Sequence, residues 1–236
     1  GTYQLHSSTD QEGLVYDTLD NALSCGYRMI GPKQHGYPNA QEALLKTLND
    51  LDCEYLDLYL IHWPGGQKLR REDPSNKLLR TDSWKALKDM KTACQVRSIG
   101  VSNYTTSHLE ELTKNPEDLP SVLQVEFHPK LFQKDLLGFC RNHNIYLQAY
   151  TSLGHGKLLA EPTVLDIARK HHKSPAQVLL RWALQHGVGV IPKSTSLEHM
   201  KENIQIYDFS LASEDMDALN GMDTGEHFCW DPTQVA

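Results

Sequence analysis

Short runs of apolar and β-branched residues alternate along the chain with longer stretches in which apolar residues recur at helical spacing. This alternation is typical of β/α units around a parallel sheet, so the predicted fold class is α/β. About seven strands are predicted, at residues 2–5, 27–30, 55–61, 96–101, 122–127, 146–150 and 188–191. Helices are predicted at 39–51, 84–91, 107–114, 134–143, 175–185, 197–205 and 212–220. Because no linker interrupts this pattern, residues 1–236 are predicted to form one domain, with a long irregular segment at 64–82.

Polar side chains follow several predicted strands at the point where each strand ends. They are His62, Ser102, Asn103, Gln124, Glu126, His128, Tyr150, Lys193 and Ser194. In a (β/α)8 barrel the carboxyl ends of the strands meet at one rim, where catalytic groups lie. Any single residue of this set is equally well explained as a loop residue that reaches solvent. Their recurrence at consecutive strand ends favours a functional rim.

Composition and charge limit the classes of partner. The net charge of -7 is spread along the chain, and the basic cluster at 68–71 is followed at once by acids, which argues against a nucleic-acid surface. The five cysteines are odd in number and form no CxxC pair, so neither a disulfide framework nor a metal site is predicted. No apolar run is long enough to cross a bilayer, and the N-terminus lacks the features of a signal peptide. We therefore expect a cytoplasmic protein without nucleic-acid or membrane partners.

Several common nucleotide-binding and catalytic motifs are missing from the sequence. The fingerprint GxGxxG is absent, so a Rossmann domain is not supported. The segment LGHGKLL lacks the first glycine and the final Ser or Thr of a phosphate loop. The sequence around Ser102 does not match the nucleophile elbow GxSxG, because tyrosine stands two residues after the serine.

Five blocks instead resemble, in order and spacing, the aldo-keto reductase family. They are LDLYLIHWP, IGVSNY, LQVEFHP, QAYTSLG and VIPKSTSLEHMKENIQIYDF, and the match to the family pattern covers nearly the whole chain. The resemblance implies an α/β fold of the TIM-type (β/α)8 barrel. It also implies NADP(H) bound in an extended form at the C-terminal rim, and hydride transfer to a small aldehyde or ketone. A monomer is expected.

The resemblance further implies a role for each matching residue. His62 would polarise the substrate carbonyl, and Trp63 would form an aromatic wall of the substrate pocket. The nicotinamide end of the cofactor would be bound by Ser102, Asn103 and Gln124 at its carboxamide and by Tyr150 stacked on its ring. Leu153 would lie along the pyrophosphate, and the adenosine phosphate would be surrounded by Lys193, Ser194, Glu202 and Asn203. Thr2 and Tyr3 would lie at the border of cofactor and substrate. His199 replaces an arginine that NADPH-selective relatives usually carry, which implies a weaker grip on the 2′-phosphate.

One segment of the family pattern is missing between residues 30 and 31. In the family, a strand resembling GYRMI leads into an aspartate, a tyrosine, a helix and a strand that ends in a lysine. Here Ile30 is followed directly by Gly31, within the sequence GYRMIGPKQHGY. About one β/α unit, on the order of 30 residues, is absent from the sequence. Of the four catalytic residues of the family, only His62 remains.

The missing segment leaves two functions open. An unassisted phenol has a pKa of about 10 and general acid catalysis contributes about 10²–10⁴-fold, so a chain without the tyrosine and lysine should reduce carbonyls poorly, if at all. The alternative is a non-catalytic dinucleotide-binding protein or structural relative. Lys33, His35 and Tyr37 lie close to the junction, but no spacing places them beside His62. The start on strand-like residues favours two joined segments of a longer protein, whereas the continuous numbering favours a true deletion.

Intact-mass spectrometry separates these two origins of the junction. A true deletion predicts a mass near 26.8 kDa. A protein that contains the family segment would be several kilodaltons heavier, on the order of the mass of one β/α unit.

Overall fold

The computed structural model describes residues 36–66, 68–112 and 119–236; the side chain of Tyr37 is not described. Five strands form one sheet in the order β1-β2-β3-β4-β5. They are β1 Leu56–Ile61, β2 Val96–Ser102, β3 Val122–Glu126, β4 Tyr146–Tyr150 and β5 Gly189–Val190. Each corresponds to a predicted strand, with ends that differ by at most one residue. The strands predicted at 2–5 and 27–30, and the junction at 30–31, lie outside the described residues.

Eight helices accompany these strands in the part of the chain that the structure describes. They are α1 Tyr37–Asp50, α2 Ser75–Thr92, α3 Thr106–Leu112, α4 Lys134–Asn142, α5 Pro162–His171, α6 Pro175–Gln185, α7 Leu197–Ile204 and α8 Ser213–Asn220. A 3₁₀ segment covers Gly154–Ala160. The described residues divide into two compact units. The first unit comprises the described residues of the range 36–125, together with 134–147 and 230–236. The second unit comprises 126–133 and 148–229. The prediction of a single domain stays a prediction.

The first unit is organised by close parallel pairing of β1, β2 and β3. Leu58 pairs with Ser98, and Ser102 at the end of β2 pairs with Gln124 in β3. Gly100 makes the pairing possible, because a Cβ there would lie 2.5 Å from the Val122 carbonyl oxygen. The carboxyl ends of the three strands therefore lie at the same edge of the sheet.

The prediction of an irregular segment at 64–82 is wrong for its second half, because α2 begins at Ser75. The inward face of its first turns carries Asn76, Arg80 and Ser83, all of which are buried. Polar residues at these positions remove the apolar spacing by which an amphipathic helix is recognised. The structure also adds α5, which was not among the predicted helices.

The second unit is built around the buried indole of Trp182 in α6. Phe127 stacks on it with ring centroids 5.0 Å apart, and Phe132 packs edge-on at 5.4 Å. The indole N–H donates to Asn220 Oδ1 at 2.8 Å, so the buried polar atom is satisfied. Helix α6 begins with a capping box: Ser174 Oγ accepts from Gln177 N, while Gln177 Oε1 accepts from Ser174 N. Its predicted bounds, 175–185, are confirmed.

Candidate functional site

In the first unit, Asn103 joins the ends of three neighbouring strands. Its side-chain amide donates to the His62 carbonyl oxygen at 2.8 Å and to Ser102 Oγ at 3.1 Å. Its main-chain N–H donates to the Gln124 carbonyl oxygen at 2.9 Å. These four residues, predicted from three separate sequence blocks, are thus brought together at one edge of the sheet. Ser102 and Asn103 are buried, whereas His62 and Gln124 are half-buried.

Trp63, predicted as a wall of the substrate pocket, contacts another indole of the same unit. Its ring meets that of Trp230 edge-on, with centroids 6.3 Å apart. Trp63 is half-buried, and Trp230 remains 69% exposed. The pair therefore presents a broad aromatic surface to solvent next to the residue that follows β1.

In the second unit, Tyr150 ends β4 and Leu153 precedes a tight turn. Burial raises the pKa of the Tyr150 phenol, with smaller contributions from Cys229 and Glu126. Both Tyr150 and Leu153 are half-buried. At Gly154 the chain adopts a φ of 57°, where a Cβ would lie 2.6 Å from Leu158 Cγ. Glycine therefore permits the close turn that follows Leu153.

The predicted adenosine-phosphate block of the second unit surrounds the start of α7. Ser196 caps this helix by accepting from His199 N at 3.4 Å, and Ser194 Oγ donates to the Ser196 carbonyl oxygen at 3.1 Å. The side chains of Lys193 and His199 are exposed. The block thus presents a cationic and an imidazole side chain beside a helix N-terminus.

The other two residues of the block face inward. Asn203 is buried, and Glu202 is half-buried with its carboxylate bound by the Ser174 hydroxyl. Thr2 and Tyr3, the remaining predicted site residues, lie outside the described part of the chain.

Glu126, the buried carboxylate of the second unit, is among the polar residues at the predicted strand ends, but the sequence predicts no specific role for it. It accepts from His128 Nε2 at 3.1 Å and His227 Nδ1 at 3.2 Å, and from the main-chain N–H groups of Phe228 and Cys229 at 2.8 and 3.2 Å. Burial alone would raise the pKa of Glu126, but these hydrogen bonds outweigh it and hold the pKa below its ordinary value of 4.5. Glu126 therefore anchors residues 227–229 as a carboxylate.

Two other kinds of site do not occur within residues 36–66, 68–112 and 119–236. There, no group of three or more histidine, cysteine, aspartate or glutamate side chains could hold a metal ion. No helix in these ranges has both the length and the apolar character needed to cross a membrane.

Comparison with known proteins identifies the family. A sequence profile described as the Aldo/keto reductase family matches residues 32–224. The chain belongs to the aldo/keto reductase family. Among its curated relatives, a glyoxal reductase of Bacillus subtilis is 43% identical over 203 residues, which are 86% of this chain and 70% of the relative. A 9,11-endoperoxide prostaglandin H2 reductase of Trypanosoma cruzi is 40% identical over 200 residues, 84% of this chain and 67% of the relative. The chain thus spans about two thirds of the length of such relatives.

Solved structures extend the comparison to the fold. A mutant of Gox0644 in complex with NADPH is 31% identical with a TM-score of 0.84, over 95% of this chain and 90% of that chain. The aldose reductase from Schistosoma japonicum is 30% identical with a TM-score of 0.80, over 92% and 86% of the two chains. These likenesses confirm the predicted α/β class and (β/α)8-barrel fold of the aldo/keto reductases. The family is one of oxidoreductases, and the relatives named as reductases support carbonyl reduction in general.

The role of Glu126 as an anchor is tested by Glu126→Gln. The amide cannot accept at both oxygens as the carboxylate does, so the free energy of unfolding at pH 7 should fall by about 1–3 kcal/mol in urea titrations. A carboxyl whose pKa is lowered by folding stabilises the folded chain above its unfolded-state pKa. This contribution is lost as the pH falls through the folded-state value. The difference between the two proteins should therefore shrink below pH 4.5.

Glu42→Gln, at an exposed position of α1, is the matched control and should change the free energy of unfolding little at either pH. An equal loss of stability in both variants would contradict the anchoring role of Glu126.

Proposed function

We propose that this chain is an NADP(H)-dependent reductase of small aldehydes and ketones, with its reacting carbonyl at His62. The observation that carries the proposal is the cluster in which Asn103 binds the carbonyl oxygens of both His62 and Gln124. It fixes a histidine beside amide and hydroxyl groups at the carboxyl edge of a parallel sheet. This edge is where the active sites of (β/α)8 barrels lie. The relatives that are named as reductases support the same reaction class.

His62 is suited to bind and polarise a carbonyl oxygen. An imidazole N–H can donate to the oxygen, and this hydrogen bond strengthens as negative charge develops on the oxygen during reduction. The hydrogen bond from Asn103 to the His62 carbonyl oxygen fixes the main chain from which the imidazole extends. Half-burial of His62 leaves it accessible to a small molecule.

The donor set of the first unit fits a carboxamide, the polar group of nicotinamide. Ser102 offers a hydroxyl, and Asn103 and Gln124 offer amides that can both donate and accept. In the second unit, the half-buried ring of Tyr150 suits stacking on a flat heterocycle. When bound, the nicotinamide supplies the hydride. The protein residues contribute by binding and orienting it.

The phosphate end of the cofactor is proposed to bind at the start of α7. Lys193 carries an exposed ammonium group, and the neighbouring serine offers a hydroxyl near the helix N-terminus, where anions are favoured. His199 replaces a guanidinium fork, so its contribution to 2′-phosphate binding depends on the imidazole alone. Leu153, Glu202 and Asn203 complete the proposed dinucleotide site. Thr2 and Tyr3 are proposed at its border with the substrate.

A second candidate function is dinucleotide binding without chemistry. The observation that favours it is the sequence GYRMIGPKQHGY, in which Ile30 is followed directly by Gly31. The family pattern has a segment at this point that contains its aspartate, tyrosine and lysine. Carbonyl reduction needs a proton as well as a hydride, and a missing general acid costs about 10²–10⁴-fold in rate. The proposed cofactor-binding residues are compatible with both functions. We propose a monomeric, cytoplasmic protein in either case.

The role of His62 predicts a loss of turnover in His62→Ala. Loss of one hydrogen-bond donor to the developing oxyanion should lower kcat by about 10²–10³-fold with glyoxal and NADPH. His172→Asn is the matched control, because His172 is exposed and directly follows α5 as its C-cap. Its backbone is in the left-handed conformation, which asparagine tolerates. Equal kcat values for His62→Ala and the unsubstituted chain would contradict the role of His62. An unsubstituted chain that binds NADPH without turnover would establish the binding function instead.

The phosphate site predicts that Lys193→Met weakens NADPH more than NADH. A lost charge-assisted hydrogen bond of about 1.5–3 kcal/mol corresponds to a roughly 10- to 100-fold higher Kd for NADPH. The Kd for NADH, which lacks the 2′-phosphate, should change little. Titration of protein fluorescence measures both constants without requiring turnover.

Lys201→Met, which removes another exposed ammonium group from α7, is the control. If Lys193→Met and Lys201→Met weaken NADPH equally, the effect is one of general charge and Lys193 is not the phosphate ligand.

A further inference from the structure

A buried arginine in α2 lies at the centre of an ion-pair network in the first unit. Arg80 is 1% exposed, and its Nε and Nη2 donate to both carboxylate oxygens of Glu111 at 3.0–3.2 Å. Its Nη1 donates to the Pro64 carbonyl oxygen at 3.0 Å and to a main-chain oxygen of Ala236 at 2.6 Å. The planar guanidinium group thus donates hydrogen bonds to three different groups: a carboxylate and two main-chain oxygens. An ammonium group could not reproduce this geometry.

Two further contacts hold the segment 231–236 beside Arg80. The Ala236 N–H donates to the Arg71 carbonyl oxygen at 2.8 Å. The Val235 carbonyl oxygen lies 2.9 Å from His108 Nε2, and His108 Nδ1 accepts from the Thr105 N–H at 3.1 Å. These partners fix the tautomer with the proton on Nε2, which donates to Val235. Val235 is buried, so the segment is part of the packed structure of this unit.

The two main-chain oxygens bound by Arg80 belong to the segments that follow the two indoles of the aromatic pair. Pro64 directly follows Trp63, and the segment held at Ala236 begins directly after Trp230. The ring contact between Trp63 and Trp230 depends on both segments keeping their positions. Trp230 keeps 69% of its surface exposed although it is a large aromatic residue and directly precedes the anchored segment 231–236. An exposed and fixed indole is a suitable contact surface for a flat ligand.

We propose that Arg80 and Glu111 are positioning residues that hold Trp63 and Trp230 as an aromatic platform for planar, conjugated carbonyl substrates. The substrate class rests on the proposed function. The positioning role stands on the contacts of Arg80 alone. In this arrangement Arg80 contacts neither the substrate nor the cofactor. It acts by fixing the main chain at Pro64, directly after Trp63, and at Ala236, at the end of the segment that follows Trp230.

Near-ultraviolet circular dichroism tests the positioning role without cofactor or turnover. The difference spectrum between the unsubstituted chain and Trp230→Phe reports the fixed environment of the indole pair. Arg80→Lys keeps the charge but loses the fork, so its tryptophan bands should shift toward those of Trp230→Phe. Arg169→Lys is the matched control, because Arg169 forms an exposed ion pair with Asp166, and its spectrum should equal that of the unsubstituted chain.

A second variant keeps the test decisive if Arg80→Lys does not fold. Glu111→Gln weakens the same fork from a carboxylate that is 23% exposed, so it is less disruptive to the core. It should move the tryptophan bands in the same direction. If every folded Arg80 or Glu111 variant has the spectrum of the unsubstituted chain, the positioning role is overturned.

The substrate class is tested by comparing an aromatic with a small aliphatic carbonyl. In Trp230→Ala, and to a smaller degree in Arg80→Lys, the ratio of KM for 4-nitrobenzaldehyde to KM for glyoxal should rise about 2- to 10-fold, as expected for the loss of one aromatic contact. The ratio of the two kcat values should stay constant, since the platform does not contact the reacting atoms. An unchanged KM ratio in Trp230→Ala overturns the platform.

The dichroism experiment and the carbonyl comparison distinguish failure of this inference from failure of the proposed function. If the chain turns over neither carbonyl, quenching of its indole fluorescence by 4-nitrobenzaldehyde replaces the KM comparison. A Kd that is equal in the unsubstituted chain and Trp230→Ala then overturns the platform. A chain that binds no NADPH contradicts the proposed function, while the dichroism of Arg80→Lys still decides the positioning role.

Discussion

The arrangement of the candidate site depends on the backbone conformation of Asn103. At the end of β2 this residue adopts a φ of 65°, in the left-handed region that asparagine tolerates better than most residues. The turn directs its N–H to the Gln124 carbonyl oxygen and its side-chain amide to that of His62. A β-branched residue would be strained in this conformation, and alanine would leave the His62 carbonyl without this donor. One residue thus ties together the polar ends of three strands.

Each of the two units contains a buried ionised side chain that is paired on several sides, and some of its partners lie far away in the sequence. Glu126 is saturated by two imidazoles and two main-chain N–H groups, and Arg80 by a carboxylate and two main-chain oxygens. A buried charge is costly unless it is fully paired, so removal of one partner leaves a large penalty. In both cases the partners include residues from the last ten positions of the sequence. These residues are therefore held by electrostatic contacts as well as by apolar packing.

The sequence predicted the five described strands well because their apolar runs are short and end in polar residues that mark the rim. It predicted that His62, Asn103 and Gln124 lie together because parallel strands bring their carboxyl ends to one edge of the sheet, whatever the loops between them. It missed the start of α2 because Asn76 and Arg80 occupy the inward face, where an apolar residue is expected. It also gave no role to Glu126 or Arg80. Each has partners 100 or more residues away, and no local pattern reports such pairs.

The source of the proton is the remaining physical question for catalysis. Burial raises the pKa of Tyr150 and raises that of Tyr59 to about 12, which makes each phenol a weaker acid than a free one. A general acid works best with a pKa near the operating pH, so neither tyrosine is suited to replace the activated tyrosine of the family. Tyr150 is better suited to stacking, which requires only its ring. Efficient turnover would therefore require a proton donor other than these two phenols, and the family pattern has its tyrosine in the segment that is absent between Ile30 and Gly31.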